Sequence, residues 1–213
     1  MKRNMIALGT SLLFLISGCA MLDYRQAAPD LHISTKERLS IGVQDHRPYV
    51  LNHDKEENFI GIQRGGFGIP VSLPTASGHP LAEDMTYVIV KSFSSTEAIV
   101  NSMKIPPEMS MDSILQIANS QQADKIILLT LLNWKTDTYQ STDLIYDSLI
   151  TVFDAKGNIL ATNKIHGSDM LGKNILAPQS VPIKFAPIAL QQKLEELFNG
   201  NIVEALSAPR NQQ

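Results

Sequence analysis

Apolar and polar positions follow two different periods along this chain, and the switch between them marks the elements. Leu39-Ser-Ile-Gly-Val43 is apolar at every second position, which predicts a first strand running into Gln44-Asp45-His46-Arg47-Pro48. Leu81, Met85, Val88, Ile89 and Phe93 are spaced by four, three, one and four, one face of a helix that begins near Pro80. Glu97 to Lys104 reads as a strand closed by Pro106-Pro107. A shorter helix follows Ser110, a good N-cap, with Met111, Ile114, Leu115 and Ala118 inward, and ends near Gln121. Lys125 to Trp134 is apolar on both faces, the mark of a central strand. Leu144 to Phe153 and Ile159 to His166 flank the turn Asp154-Ala-Lys-Gly-Asn158 and form a hairpin. A last helix is expected between Pro187 and Leu206, with Leu190, Leu194, Leu197, Phe198, Val203 and Leu206 inward and Asn199-Gly200 as a break or kink.

This order predicts one α/β domain over 36–208, built in the α+β manner as two layers or a sandwich: one mixed sheet of about five strands with three helices. Residues 49–79 read as a long irregular connection, the kind that is functional or mobile. Within it, 58–63 and 67–72 can pair as a hairpin across the glycines. Residues 209–213 are expected to be a disordered tail.

Ahead of the domain the pattern changes. Lys2-Arg3 is followed by twelve uncharged, mostly apolar residues, Met5 to Ile16, and then by Ser17-Gly18-Cys19-Ala20. The apolar run fits the h-region of a signal peptide, and is too short for a bilayer-spanning helix, which needs about 20 residues. Ile16-Ser17-Gly18-Cys19 resembles the lipobox of bacterial lipoproteins. That resemblance implies a signal peptide over 1–18, cleavage before Cys19 and acyl chains (palmitate among them) on Cys19, which would hold the protein on a membrane. Cys19 is the only cysteine, and lipidation accounts for an unpaired thiol in an exported chain. In Gram-negative lipoproteins an aspartate after the cysteine usually means inner-membrane retention, so Ala20 implies the periplasmic face of the outer membrane. Residues 19–35, with Pro29 and few apolar side chains, read as a lipidated tether.

Composition narrows the functional classes. Loss of residues 1–18 leaves 16 basic against 21 acidic residues, a net charge of −5. Nucleic acid is a poor partner for such a chain. The histidines His32, His46, His53, His79 and His166 include no pair at the helical spacing of a zinc site, so neither a metal nor another cofactor is expected. His46 and His53 do share the 45–54 region with Asp45 and Asp54. Asp45-His46-Arg47 reads either as a polar cluster offered to a partner or as an ion pair that fixes the start of the following connection. Arg64-Gly65-Gly66-Phe67-Gly68 reads as a phosphate cradle, as a hairpin turn, or as a flexible tip offering Phe59, Ile60, Phe67 and Ile69 to another protein. The candidate partner-binding residues are therefore Asp45, Arg47, Phe59, Arg64 and Phe67.

The lipobox at Ile16 to Cys19, Asp45 and Arg47 at the end of the first strand, and the element order from about 36 to 206 together resemble the YajG-like group of outer-membrane lipoproteins, with the TolB amino-terminal and CsgG-like periplasmic domains as wider relatives. The resemblance implies a non-enzymatic envelope protein that contacts other envelope components. The expected function is a lipid-anchored periplasmic binding or assembly module with an envelope protein as partner. The alternatives are an envelope hydrolase with a site near Asp45, His46, His53 and His79, and a purely structural lipoprotein.

Overall fold

In a computed structural model the structure describes residues 22–64, 67–174 and 176–208. The expected signal peptide over 1–18, Cys19, Ala20 and the expected tail over 209–213 lie outside the described residues. The strands are β1 (Arg38–Asp45), β2 (Phe59–Arg64), β3 (Pro70–Pro74), β4 (Ile99–Ser102), β5 (Lys125–Thr138), β6 (Thr142–Asp154) and β7 (Ile159–Gly172). The helices are α1 (Pro48–Leu51), α2 (Leu81–Ser92), α3 (Met111–Ser120), α4 (Ser180–Leu197) and α5 (Asn201–Ser207). The α/β class holds, but the sheet has seven strands rather than about five.

The two additional strands lie in the stretch expected to be irregular. Residues 49–79 contain α1 and the antiparallel hairpin β2–β3, paired from Phe59–Pro74 to Arg64–Pro70. The hairpin is thus readable in the sequence, and the described residues of 49–79 carry a helix and two strands rather than an irregular connection.

β5 organises the sheet. One of its edges is taken over its whole length by β6, antiparallel, from Lys125–Asp154 to Thr138–Thr142. The opposite edge is shared by two strands in succession, both parallel to β5. β1 pairs with residues 125–131 and β2 with residues 136–138. β4 lies outside β1, and β7 outside β6. A strand rises about 3.3 Å per residue, so β5 is about 43 Å long and spans the sheet from end to end.

A bulge between Leu131 and Asn133 splits β5 into two halves. An extra residue shifts which side chains face inward. Before it, Ile127, Leu129 and Leu131 face the main core, and after it Trp134, Thr136 and Thr138 are the buried positions. Gly61 lies opposite Thr136, where an added Cβ would come within 2.5 Å of the Thr136 carbonyl oxygen, so β2 closes on β5 only with glycine there.

The main core packs α2, α4 and α5 on one face of the sheet. α2 delivers Leu81, Met85, Val88 and Ile89 as its period predicts, with Pro80 as the N-cap rather than the first helical residue. The last helix starts at Ser180, seven residues before its expected start, and Pro187 lies inside it. Proline interrupts a helix at the cost of one backbone hydrogen bond. Here burial of Val181, Pro182, Ala186, Ala189 and Leu190 on both sides of Pro187 offsets that loss. The chain does break at Asn199-Gly200, where Gly200 has φ +53°, a conformation that glycine adopts without strain. α3 covers the other face only at the starting end of β5, against Ile126, Leu128 and Phe153. Its Ser110 cap accepts a hydrogen bond from the Ser113 backbone N–H, as predicted.

Residues 22–35 do not form a free tether. Leu22, Tyr24, Ala27, Leu31 and Ile33 are buried in the main core. The Leu22 carbonyl accepts from the Ala76 N–H at 3.0 Å, and the Tyr24 hydroxyl accepts from Trp134 Nε1 at 3.0 Å. Burial drives the Tyr24 phenol well above its usual pKa, so it stays protonated. The sequence reading missed this strap because its apolar residues are too sparse to show a period. The Arg25 side chain crosses to Asp84 on α2 at 2.7 Å.

A free tether could lose its aromatic ring at no cost to folding. The strap predicts that Tyr24→Ala removes about 3–5 kcal/mol of stability, as other buried aromatic truncations do. Urea denaturation followed by circular dichroism measures this, and an unchanged midpoint would show that residues 22–35 do not hold the fold together.

Candidate functional site

The polar cluster predicted at the end of β1 is real, and it is interior. β1 leaves β5 after Asp45, and β2 rejoins the same edge only at Gly61 opposite Thr136. Between these points the Trp134 carbonyl of β5 faces no strand. The Arg47 side chain occupies the gap and has no exposed surface. Its Nε donates to Asp45 Oδ1 at 2.8 Å and Nη2 to Asp45 Oδ2 at 2.6 Å, the two-pronged geometry that suits guanidinium and carboxylate. Nη1 donates to the carbonyls of Phe59 at 2.5 Å and Trp134 at 3.2 Å, and Nη2 also to the carbonyl of Glu57 at 3.0 Å. A guanidinium has five N–H donors, and all five are used. Burial works against the charge, but the hydrogen bonds and the charge of Asp45 outweigh it and hold the Arg47 pKa above its usual value.

Tyr49 completes the plug. Its hydroxyl donates to the Trp134 carbonyl at 3.1 Å, and its ring lies edge-on to Phe59 at 5.3 Å between centroids. Sequence reading missed Tyr49, because only the three-dimensional gap gives its hydroxyl a partner.

The five candidate partner-binding residues therefore separate. Asp45, Arg47 and Phe59 come together in the interior and present nothing to a partner. Asp45-His46-Arg47 is thus an ion pair that fixes the start of the following connection, and burial is the physical reason that these positions are not offered to a partner. Arg64 is half-buried and paired with Asp137. Phe67 is 97% exposed beyond the end of β2. Strand β3 follows the Arg64–Gly68 turn, where a phosphate cradle needs a helix N-terminus. Gly65 and Gly66 of that turn lie outside the described residues.

The residues of the hydrolase alternative do not share a cleft. Asp45 is committed to Arg47, and His46 Nε2 lies 3.0 Å from the Pro107 carbonyl. His53 is exposed at the end of α1 with φ +59°, and His79 faces Glu83 at 3.8 Å. His166 sits across the sheet, 3.3 Å from Asp147. Among the described residues no group of three or more His, Cys, Asp or Glu is placed to hold a metal ion.

A cleft of about 390 Å³ lies between α2 and the segment that follows β4. Val43, Tyr87, Val90, Met103 and Ile105 give it an apolar lining. Its rim is ion-paired: Lys104 reaches Glu83 at 2.6 Å, and Arg25 lies 5.0 Å above the Tyr87 ring. No spacing in the sequence announces this cleft, because Arg25 belongs to the strap, α2 contributes one face, and Met103 and Ile105 lie in an irregular segment.

No family model and no curated protein matches the chain by sequence. Solved structures do match by fold. A Xanthomonas campestris protein, XCC0632, described by the family model DUF330, is 11% identical, with 84% of this chain and 92% of that one covered and a TM-score of 0.52. The PelC dodecamer of Paraburkholderia phytofirmans is 12% identical over 85% of this chain and 94% of its own, with a TM-score of 0.41. Lipoprotein GNA1162 of Neisseria meningitidis is 13% identical over 74% and 97%, with a TM-score of 0.29. At these identities the likeness is one of fold alone.

Removing the guanidinium leaves Asp45 buried without its partner and takes a donor from the Phe59 carbonyl, while the Trp134 carbonyl keeps the Tyr49 hydroxyl and the Glu57 carbonyl keeps the Leu81 N–H. Breaking a buried pair in this way costs about 3–5 kcal/mol. Arg47→Met is expected to show that loss in urea denaturation, and Arg47→Lys to restore little of it, since one ammonium cannot reach the same set of acceptors. Full stability in Arg47→Met would show that the gap closes without the guanidinium.

Proposed function

We propose that this chain is a lipid-anchored, non-enzymatic binding or assembly module of the bacterial cell envelope, held on the periplasmic face of the outer membrane through lipid on Cys19. The observation that carries the reading is the start of the folded domain. Leu22, the first described residue, is already buried, and it follows the lipobox cysteine by only three positions. A lipid on Cys19 would therefore place the whole domain against a membrane.

The separation of Asp45, His46, His53 and His79 favours binding over the hydrolase built on those residues. The likeness to the YajG-like lipoproteins, with the TolB amino-terminal and CsgG-like domains behind them, supports the same kind of role. The partner is an envelope protein, and we assign its contact to the cleft along α2, where apolar walls and a charged rim provide both adhesion and orientation.

In cells, Cys19→Ala is expected to move the protein from the membrane fraction to the soluble fraction. A photoreactive residue in place of the half-exposed Tyr87 is expected to crosslink to an envelope protein in the anchored chain. Retention of Cys19→Ala in the membrane fraction would overturn the anchor, and absence of crosslinks at position 87 would remove the cleft as the contact.

A further inference from the structure

The cleft along α2 continues beyond its apolar part. Glu57 and Pro106 line it, and both also line a second hollow of about 340 Å³, which lies between α1 and the pair Pro107 and Glu108. The two hollows therefore adjoin as one groove. Its walls are set before anything binds. On one side the Met103 N–H donates to the Ile41 carbonyl at 2.7 Å, and Gln44 Nε2 to the carbonyls of Pro107 at 3.1 Å and Met109 at 2.8 Å. On the other the Glu57 carbonyl accepts from the Leu81 N–H and from Arg47 Nη2, both at 3.0 Å, and the Lys55 N–H donates to the Tyr49 carbonyl at 2.8 Å. A groove held in this way costs a partner little ordering.

The groove changes character along its length. At the α2 end it is apolar, and its two cations are already engaged, Arg25 with Asp84 at 2.7 Å and Lys104 with Glu83 at 2.6 Å. At the α1 end it is acidic. Glu56, Glu57 and Glu108 line it and stand exposed. Among the described residues Glu56 and Glu108 have no ion-pair partner. Glu57 acts only at longer range on Lys104, which Glu83 already holds. Lys55 does not neutralise these carboxylates: its Nζ donates to Ser72 Oγ at 2.9 Å and lies 5.1 Å from the centre of the Phe59 ring.

We propose that this groove takes a segment of the partner protein in which a bulky apolar side chain has lysine or arginine close to it in sequence. The apolar group fills the α2 end, and the cation meets Glu56, Glu57 and Glu108. The inference rests on the cleft contact assigned above and adds the chemistry of what fills it. Charge complementarity decides the occupant. A fatty acid, a phospholipid or a nucleic acid would bring its anion towards three carboxylates, while Arg25 and Lys104 are already neutralised. Pairing as an added strand also fails on this wall, since Pro106 and Pro107 have no N–H to offer. The segment is therefore held through its side chains.

The test uses the full chain in cells, with a photoreactive residue in place of Tyr87 at the α2 end or of Leu51 at the α1 end, both exposed. Both positions are expected to capture the same protein. Peptide mapping is expected to place lysine or arginine within about four residues of the attachment point, about 14 Å of extended chain. With the photoreactive residue at 87, Glu56→Lys combined with Glu108→Lys is expected to lower capture about tenfold or more, since like charges then face each other. Glu56→Asp combined with Glu108→Asp is expected to keep it. Both glutamates are exposed, so folding is not at risk. Capture at 87 that ignores the double lysine change overturns the proposal and leaves the cleft contact standing. An attachment site with no basic residue nearby, or different proteins at 87 and 51, overturns it in the same way. Capture of lipid at 87, or of nothing in the chain with both glutamates intact, removes the cleft as a protein contact and the proposal with it.

Discussion

The arrangement of this domain depends on a guanidinium standing where a strand is missing. Two strands in succession occupy one edge of β5, and between them the edge is open at Trp134. An open stretch inside a sheet leaves polar backbone groups buried without partners, which costs more than any single contact returns. Arg47 fills the stretch with donors directed at three carbonyls, while Asp45 balances its charge. Replacing such a cluster by apolar residues is often neutral for stability, so its benefit is specificity. Apolar side chains of similar size would fill the volume, but they would not set the register of β2 against β5.

That register has consequences further along the chain. With β2 locked at Gly61–Thr136, the bulge at Leu131–Asn133 sets Trp134 inward. Trp134 then meets Tyr24, and the strap over 22–35 closes on the main core. One cluster of five donors thus links the sheet edge, the bulge and the N-terminal strap. The Leu22–Ala76 hydrogen bond ties the strap to the segment just after the same hairpin.

Much of this was legible in the sequence where structure is local. The helix faces at 81–93 and 111–118, the central strand from Lys125 and the β6–β7 hairpin all follow from period and turn chemistry. The Asp45–Arg47 pairing was legible as one of two readings, because the two residues are neighbours in sequence. What could not be read is everything that joins distant residues. The other acceptors of Arg47 lie 10, 12 and 87 positions away, and no spacing rule connects them. The strap is hidden for the same reason: Tyr24 is polar at its tip, and its partner is 110 residues distant. Pro187 misled because local propensity marks it as a helix start, while burial on both sides of it decides otherwise.

The same long-range contacts bear on how the domain meets a surface. A hairpin projecting from a sheet is usually free to swing about its base. Here the base is held at Phe59 and Glu57 by Arg47 and at Ala76 by the strap, and Arg64, next to the turn, is held by Asp137. The hairpin therefore moves with the sheet, and the strap that precedes it is the chain leading back to Cys19. A long flexible tether would allow the cleft along α2 to face in any direction. A strap bonded at Leu22 to the segment after β3 instead makes the strap, the hairpin and the cleft along α2 parts of one body.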